Sequence, residues 1–81
     1  MTVNDAVAKR ISELLCEKNM TQYRLEHNSG IQHGSMQCIM NGRNKTVTLS
    51  TVILIAQGFN IPLTEFLDSD LFSLEELEIE Q

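Results

Sequence analysis

The sequence has no apolar run that approaches the roughly 20 residues needed for a membrane-spanning helix. Its first ten residues, MTVNDAVAKR, contain no apolar stretch of the kind found in secretory signal peptides. Proline occurs once, and no linker is long enough to divide 81 residues into two domains. We therefore expect one small cytoplasmic domain with no membrane partner.

Cysteine is also scarce, and the two that are present do not suggest a disulfide or a metal site. Cys16 and Cys38 fall at positions that look helical, and we expect both to be reduced, partly buried thiols. Together with His27 and His33 they match no zinc-binding spacing. No nucleophile–base or paired-carboxylate arrangement points to catalysis. The sequence thus predicts no metal, no cofactor and no enzymatic activity.

Basic residues are few, and all of them lie in the first part of the chain. Residues 1–45 hold six Lys and Arg against four acidic residues, whereas residues 46–81 hold seven acidic residues and no base. The net charge of −5 would by itself argue against a nucleic-acid ligand. Because a phosphate backbone responds to the local field, the asymmetry still permits one basic face on an acidic protein.

Apolar residues recur at helical spacing, and no stretch shows the pattern of a strand. The first helix is predicted to carry one apolar face, made of Val3, Val7, Ile11, Leu14 and Leu15. Thr2 or Asn4 can cap this helix and Thr21 can cap the next, because a short side-chain oxygen accepts a free helix N–H. Four further helices are predicted over residues 22–28, 32–41, 49–58 and 62–67.

Residues 22–41 are predicted to form two short helices joined by a tight turn. Gly30 lies at the turn, since glycine readily adopts the positive φ that ends a helix. The apolar residues spaced to pack the second helix across the first are Leu25, Ile31, Met36 and Ile39. A helix held out from the body in this way can enter the major groove of DNA.

Residues 7–67 resemble the lambda-repressor-like or Cro-type helix-turn-helix domains, also called the xenobiotic-response-element family. The resemblance is carried by ISELLCEKNMTQYRLEHNSGI, SMQCIMNGRNK and LSTVILIAQGFNIPLTEFL, in the family's order and with consistent loop lengths. It implies a compact all-α domain of five helices over residues 1–68, with the motif at 22–41. Residues 69–81 would form a short acidic tail, in which Ser73 and Glu76 fit a capping box for a further turn.

The resemblance also implies roles for individual side chains on DNA. The positions at which the family reads bases are His33, Gly34, Ser35, Gln37 and Cys38. The positions at which it contacts the phosphate backbone are Gln22, Tyr23, Asn41, Arg43, Asn44, Lys45 and Thr46. Gln37 can pair with adenine through two hydrogen bonds. His33 can donate to guanine or can equally be a solvent-exposed residue of the first turn.

Two residues depart from the family pattern. Glu26 stands where the family usually has alanine or another small residue, so we expect it either to widen the helix crossing or to turn its carboxylate outward. Gly34 lies in the recognition helix, where glycine costs about 1 kcal/mol relative to alanine and offers no side chain to a base. Either the helix backbone approaches DNA closely at Gly34, or this position reads nothing.

The fourth helix is apolar on every side, because residues 52–56 are consecutive apolar residues. Its core face is predicted to consist of Val52, Ile55, Ala56 and Phe59. Ile53 or Leu54 then needs a second cover. The candidates, from the same chain or from a symmetry mate, are Leu71, Phe72, Leu74, Leu77 and Ile79. This pattern predicts a homodimer through helix five and the tail, and the alternative is a tail folded onto its own chain.

The resemblance implies sequence-specific binding of double-stranded DNA by a transcriptional regulator, in particular a repressor, with the helix at 32–41 in the major groove. No small-molecule ligand is evident from the sequence. The alternative is a helix-turn-helix scaffold for protein–protein interaction, such as an antitoxin or anti-repressor subunit, with weak or no DNA binding. The low number of Lys and Arg residues and the presence of Gly34 keep this alternative open.

Overall fold

The computed structural model describes residues 1–43, 47–73, 75 and 77. These residues form α1 (Val3–Glu17), α2 (Gln22–Ser29), α3 (His33–Met40), α4 (Leu49–Gly58), α5 (Leu63–Leu67) and a 3-10 turn at Asp70–Phe72. The prediction of an all-α domain with five helices is confirmed. No helix in this described part of the chain has the length and apolarity needed to cross a bilayer.

Threonine side chains begin three of the helices. Thr2, Thr21 and Thr48 each accept a hydrogen bond from the backbone N–H three residues further along, at the starts of α1, α2 and α4. At α1 the Asp5 carboxylate also accepts from the Thr2 backbone N–H at 3.2 Å, which completes a capping box. These bonds satisfy N–H groups that have no partner within their own helix.

Asn4, the other candidate cap of α1, has a different role. Asn4 lies in the first turn of α1 and is only 1% exposed. Its Nδ2 donates to the backbone carbonyl of Ile39 at 3.3 Å. That carbonyl belongs to the last turn of α3, where carbonyl oxygens lack helical partners. Of the two candidate caps, Thr2 is therefore the one that caps α1, and Asn4 instead binds the end of α3 to α1.

Four helix boundaries differ from the predicted ones by one residue: the end of α2, both ends of α3 and the start of α5. α3 ends at Met40, because Asn41 has φ −90° and ψ 0° and Gly42 then takes a left-handed φ of 71°. α5 begins after Pro62, which is extended at φ −70° and ψ 155° and serves as the N-cap. Gly30 ends α2 in the left-handed conformation at φ 76°, as predicted.

One apolar core joins all five helices. Its buried members are Val7, Ile11, Leu14, Leu25, Met36, Ile39, Val52, Ile55, Ala56, Phe59 and Phe66. The predicted core face of α4 is confirmed, since Val52, Ile55, Ala56 and Phe59 are all buried. On α1 the predicted face is correct except at Val3, which is 37% exposed at the start of the helix.

The beginning of the tail folds onto its own chain. The 3-10 turn packs against α1, and the ring of Phe72 lies tilted against that of Phe66 at a centroid distance of 6.1 Å. The turn starts at Ser69, whose Oγ accepts from the N–H of Leu71. Leu54 of α4 remains 42% exposed. The predicted capping box and the tail residues Leu74 and Ile79 involve positions outside the described residues.

Arg10 connects α1 to the end of α5. Its Nε donates to the carbonyl of Phe66 at 2.8 Å, and its NH2 group donates to the carbonyl of Glu65 at 2.9 Å. The same guanidinium lies 3.4 Å from the Glu13 carboxylate. A cation at the carboxyl end of a helix satisfies free carbonyls and suits the helix dipole, so Arg10 stabilises the short α5.

α4 approaches α2 closely at Gly58. A Cβ atom placed on Gly58 would lie 2.9 Å from Cδ1 of Leu25 and 3.0 Å from Cβ of Ser29. The carbonyl of Gly58 also accepts a hydrogen bond from Nδ2 of Asn28 at 3.2 Å. Glycine is required here because the α2 atoms occupy the space that any larger side chain would need.

We predict that Gly58→Ala lowers the free energy of unfolding by about 1–3 kcal/mol, because the added methyl group overpacks the α2–α4 contact. Urea denaturation followed by circular dichroism measures the change. Gly34→Ala is the matched control, since a Cβ on Gly34 meets nothing within 4 Å. That control should raise the free energy of unfolding by about 1 kcal/mol through helix propensity. Equal changes in the two variants would contradict this account of Gly58.

Candidate nucleic-acid interface

The arrangement of α2, the Gly30 turn and α3 holds α3 at the surface with one side inward. Leu25 from α2 and Met36 and Ile39 from α3 are buried together in the core. Ile31, in the turn, is half-buried against the same cluster. The sequence prediction that these residues pack α3 across α2 is therefore confirmed.

The outward side of α3 carries all five predicted base-reading residues. With 3.6 residues per turn, Gly34 and Cys38 lie opposite the buried Met36 and Ile39 and thus form the centre of the outward side. The flank nearer α2 carries His33 and Gln37, and the other flank carries Ser35. Gly34, Ser35 and His33 are exposed, whereas Gln37 and Cys38 are half-buried.

Four polar side chains of α2 and α3 form a connected set, here called the Glu26 network: Gln22, Glu26, His33 and Gln37. Nε2 of Gln22 donates to Oε2 of Glu26 at 3.0 Å, and Nδ1 of His33 lies 2.9 Å from the same oxygen. Nε2 of His33 lies 3.2 Å from Nε2 of Gln37. The network thus runs from the first residue of α2 to the flank of α3.

Of the two alternatives for Glu26, a wider helix crossing or a carboxylate turned outward, the second is wrong. Glu26 is only 9% exposed, although the His33 side chain on top of it is 67% exposed. A buried carboxylate needs hydrogen-bond donors, and the side chains of Gln22 and His33 supply them. The spacing of four residues in Gln22–Glu26 and His33–Gln37 places each pair on one helix face, but the contact between the two pairs depends on tertiary structure.

The N-terminal end of α2 provides the first predicted phosphate contacts. Tyr23 is 78% exposed, whereas Gln22 is half-buried and its amide nitrogen donates to Glu26. One of the N–H groups without a helical partner, that of Arg24, donates a hydrogen bond to the Thr21 side chain. A helix N-terminus of this kind favours an anion through its remaining N–H groups and its dipole.

The second group of predicted phosphate contacts follows α3. Asn41 and Arg43 are both exposed, and the backbone N–H of Arg43 donates to the carbonyl of Cys38 at 3.0 Å. This bond holds the backbone at the start of the loop against the last turn of α3. The predicted contacts Asn44, Lys45 and Thr46 lie outside the described residues.

The two thiols are free and separate. Cys38 is half-buried, as expected, but Cys16 is exposed near the end of α1, so the expectation of a partly buried thiol there is wrong. Among residues 1–43, 47–73, 75 and 77, no three His, Cys, Asp or Glu side chains are grouped in a way that could hold a metal ion.

The Glu26 network determines the ionisation of its central carboxylate. The hydrogen bond from Gln22 is the largest influence and lowers the pKa of Glu26 below its ordinary value of 4.5. Burial acts in the opposite direction, while the hydrogen bond from His33 and the attraction of that ring when charged lower the pKa further. The ionised form of Glu26 therefore stabilises the fold above pH 4.5, and this contribution is lost as the pH falls through the lower pKa of the folded state.

We predict that the Glu26→Gln variant loses less stability on acidification than the parent protein. The glutamine keeps the shape of the side chain and removes the titration that disfavours the folded state below pH 4.5. Urea unfolding curves at a series of pH values from neutral to acidic measure both proteins. Because all other carboxyl groups are shared, parallel curves of stability against pH would contradict the lowered pKa.

Comparison with known families supports the interpretation of this surface. The family model described as the Cro/C1-type HTH DNA-binding domain matches residues 10–70, which include α2, α3 and the loop after them. Searches of curated proteins and of solved structures gave no match. The matched family is a family of DNA-binding domains and not of enzymes. Because the match covers most of the chain and spans the helix-turn-helix, the chain belongs to the Cro/C1-type helix-turn-helix DNA-binding domains.

Proposed function

We propose that the protein is a sequence-specific regulator of transcription that acts as a repressor, with α3 in the major groove of double-stranded DNA. The observation that carries this proposal is the outward side of α3, where the polar side chains of His33, Ser35 and Gln37 surround Gly34. An α-helix with its side chains fits the major groove, in which each base pair presents a distinct pattern of donors and acceptors. Such a regulator would work in the cytoplasm.

The distribution of charge supports the proposed orientation on DNA. Arg43 is exposed at the end of α3, and the sequence places Lys45 two residues later. The acidic residues of α5 and the tail, Glu65, Asp68 and Asp70, are exposed on elements that pack against α1 and α4. Phosphate contacts from the loop would add affinity without sequence information, while the reading of bases would depend on α3.

We predict that Arg43→Ala combined with Lys45→Ala weakens binding to all DNA sequences alike. Loss of two phosphate contacts should lower the slope of log affinity against log salt by about 2, since each contact releases about one counterion. Gln37→Ala is the matched control, because it should change the preference among sequences and leave the salt slope unaltered. Mobility-shift titrations at several salt concentrations measure both effects.

Two results of these titrations would count against the proposal. If the double variant binds as tightly as the parent protein, the loop does not contact phosphates. If the parent protein binds no DNA even at low salt, the function as a DNA-binding regulator fails. A scaffold for protein–protein interaction would then explain the helix-turn-helix fold.

We further propose that the protein acts as a homodimer formed through α5 and the tail. Leu67 of α5 is 40% exposed and Leu54 of α4 is 42% exposed, so apolar surface remains uncovered after the 3-10 turn has packed on α1. A symmetric dimer would cover such surface and present two α3 helices to DNA about 34 Å apart, one turn of the double helix.

We predict that Leu67→Asp shifts the protein from dimer to monomer, because a charged side chain in the apolar contact would lose its hydration. Sedimentation equilibrium at micromolar concentrations measures the mass. Leu49→Asp is a suitable control, since Leu49 is 62% exposed at the start of α4 and outside the proposed contact. A parent protein that remains monomeric at high micromolar concentration rules out the dimer.

A further inference from the structure

The side chain of His33 is engaged at both ring nitrogens, and the two contacts constrain its protonation. Nδ1 lies 2.9 and 3.1 Å from the two oxygens of Glu26, and Nε2 lies 3.2 Å from the amide nitrogen of Gln37. An ionised carboxylate only accepts hydrogen bonds, and an amide nitrogen only donates them. Nδ1 therefore carries a proton, and in the neutral ring Nε2 then presents its lone pair, to which the amide nitrogen of Gln37 can donate.

Both contacts fit one neutral form of the ring, the tautomer with its proton on Nδ1. This agreement means that His33 has neither nitrogen free to donate to a base. Its side chain is nevertheless 67% exposed, so the ring lies at the surface as a bridge between Glu26 and Gln37. The hydrogen-bonding capacity that remains for DNA on this flank belongs to Gln37.

The orientation of the Gln37 amide follows from the lone pair on His33. One N–H of the amide donates to Nε2 of His33, which leaves the second N–H and the carbonyl oxygen Oε1 unengaged by the ring. Adenine presents an acceptor at N7 and a donor at N6 in the major groove, and this pair matches one N–H and one carbonyl oxygen.

The other tautomer of His33 would reverse the amide. A proton on Nε2 would require Oε1 of Gln37 as its acceptor, and both N–H groups of Gln37 would then face outward. Two donors match the two acceptors of guanine, N7 and O6, and do not match the N6 donor of adenine. The location of one proton on His33 thus decides which purine suits Gln37.

We propose that Glu26 is a positioning residue that selects adenine over guanine by holding the proton of His33 on Nδ1 and thereby fixing the amide of Gln37. Glu26 does not contact DNA in this arrangement, because it is buried beneath His33. The inference rests on the proposed function, since it concerns the base read by α3.

The experiment compares the parent protein with Glu26→Ala and Glu26→Gln. Alanine removes the acceptor for Nδ1, whereas glutamine retains a carbonyl oxygen that can accept from it and serves as the conservative variant. Nitrogen-15 NMR of the free proteins identifies which ring nitrogen of His33 carries the proton. Selection from a random pool of duplex DNA, followed by binding titrations with adenine or guanine at the selected position, measures the preference.

We expect the parent protein and Glu26→Gln to hold the proton on Nδ1 and to prefer adenine at the base pair read by Gln37. In Glu26→Ala the proton should move to Nε2, and the preference for adenine over guanine should fall by about tenfold. Gln37→Ala should abolish the preference, and adding Glu26→Ala to it should change nothing further, because Glu26 acts through Gln37.

Three results would overturn the inference, and they can be told apart. If the free parent protein carries the His33 proton on Nε2, the assignment of the tautomer is wrong, whatever the protein binds. If the proton moves in Glu26→Ala but the preference for adenine is unchanged, Gln37 does not depend on His33. If the parent protein binds no DNA while its proton is on Nδ1, the proposed function fails and the inference fails with it.

Discussion

The contact between α2 and α4 at Gly58 positions the surface proposed to face DNA. Leu25 and Ser29 of α2 lie so close to Gly58 that a single methyl group has no room between the helices. Because α2 carries Gln22 and Glu26, its placement on α4 also sets the carboxylate that contacts His33 of α3. In a densely packed interior the position of one helix fixes that of its neighbour, since closely packed side chains cannot adjust independently.

The burial of Glu26 is the least expected feature of this surface. A carboxylate taken out of water is unfavourable unless donors surround it. Gln22 supplies one donor, and His33 supplies the other across the turn between the two helices. The same contacts that make the buried charge tolerable restrict the ring of His33 and, through it, Gln37. Stability of the motif and the chemistry of its outward side are therefore linked.

The remainder of the molecule anchors the ends of α3 and α5. Asn4 binds the carbonyl of Ile39 in the last turn of α3, and Arg10 binds the carbonyls of Glu65 and Phe66 at the end of α5. Both side chains come from α1, which thus acts as a common support. Helix ends have unpaired carbonyl groups, so side-chain donors at these points hold short helices that would be unstable alone.

The sequence by itself determined the helices, the turn at Gly30 and most of the core, because apolar spacing and capping residues are local signals. The buried face of α4, with Val52 and Ile55, followed from the same pattern. Only the tertiary structure decided the role of Asn4 and the inward position of Glu26. Their partners, Ile39 and His33, come from other helices, and a contact between helices depends on packing that spacing along the chain does not encode.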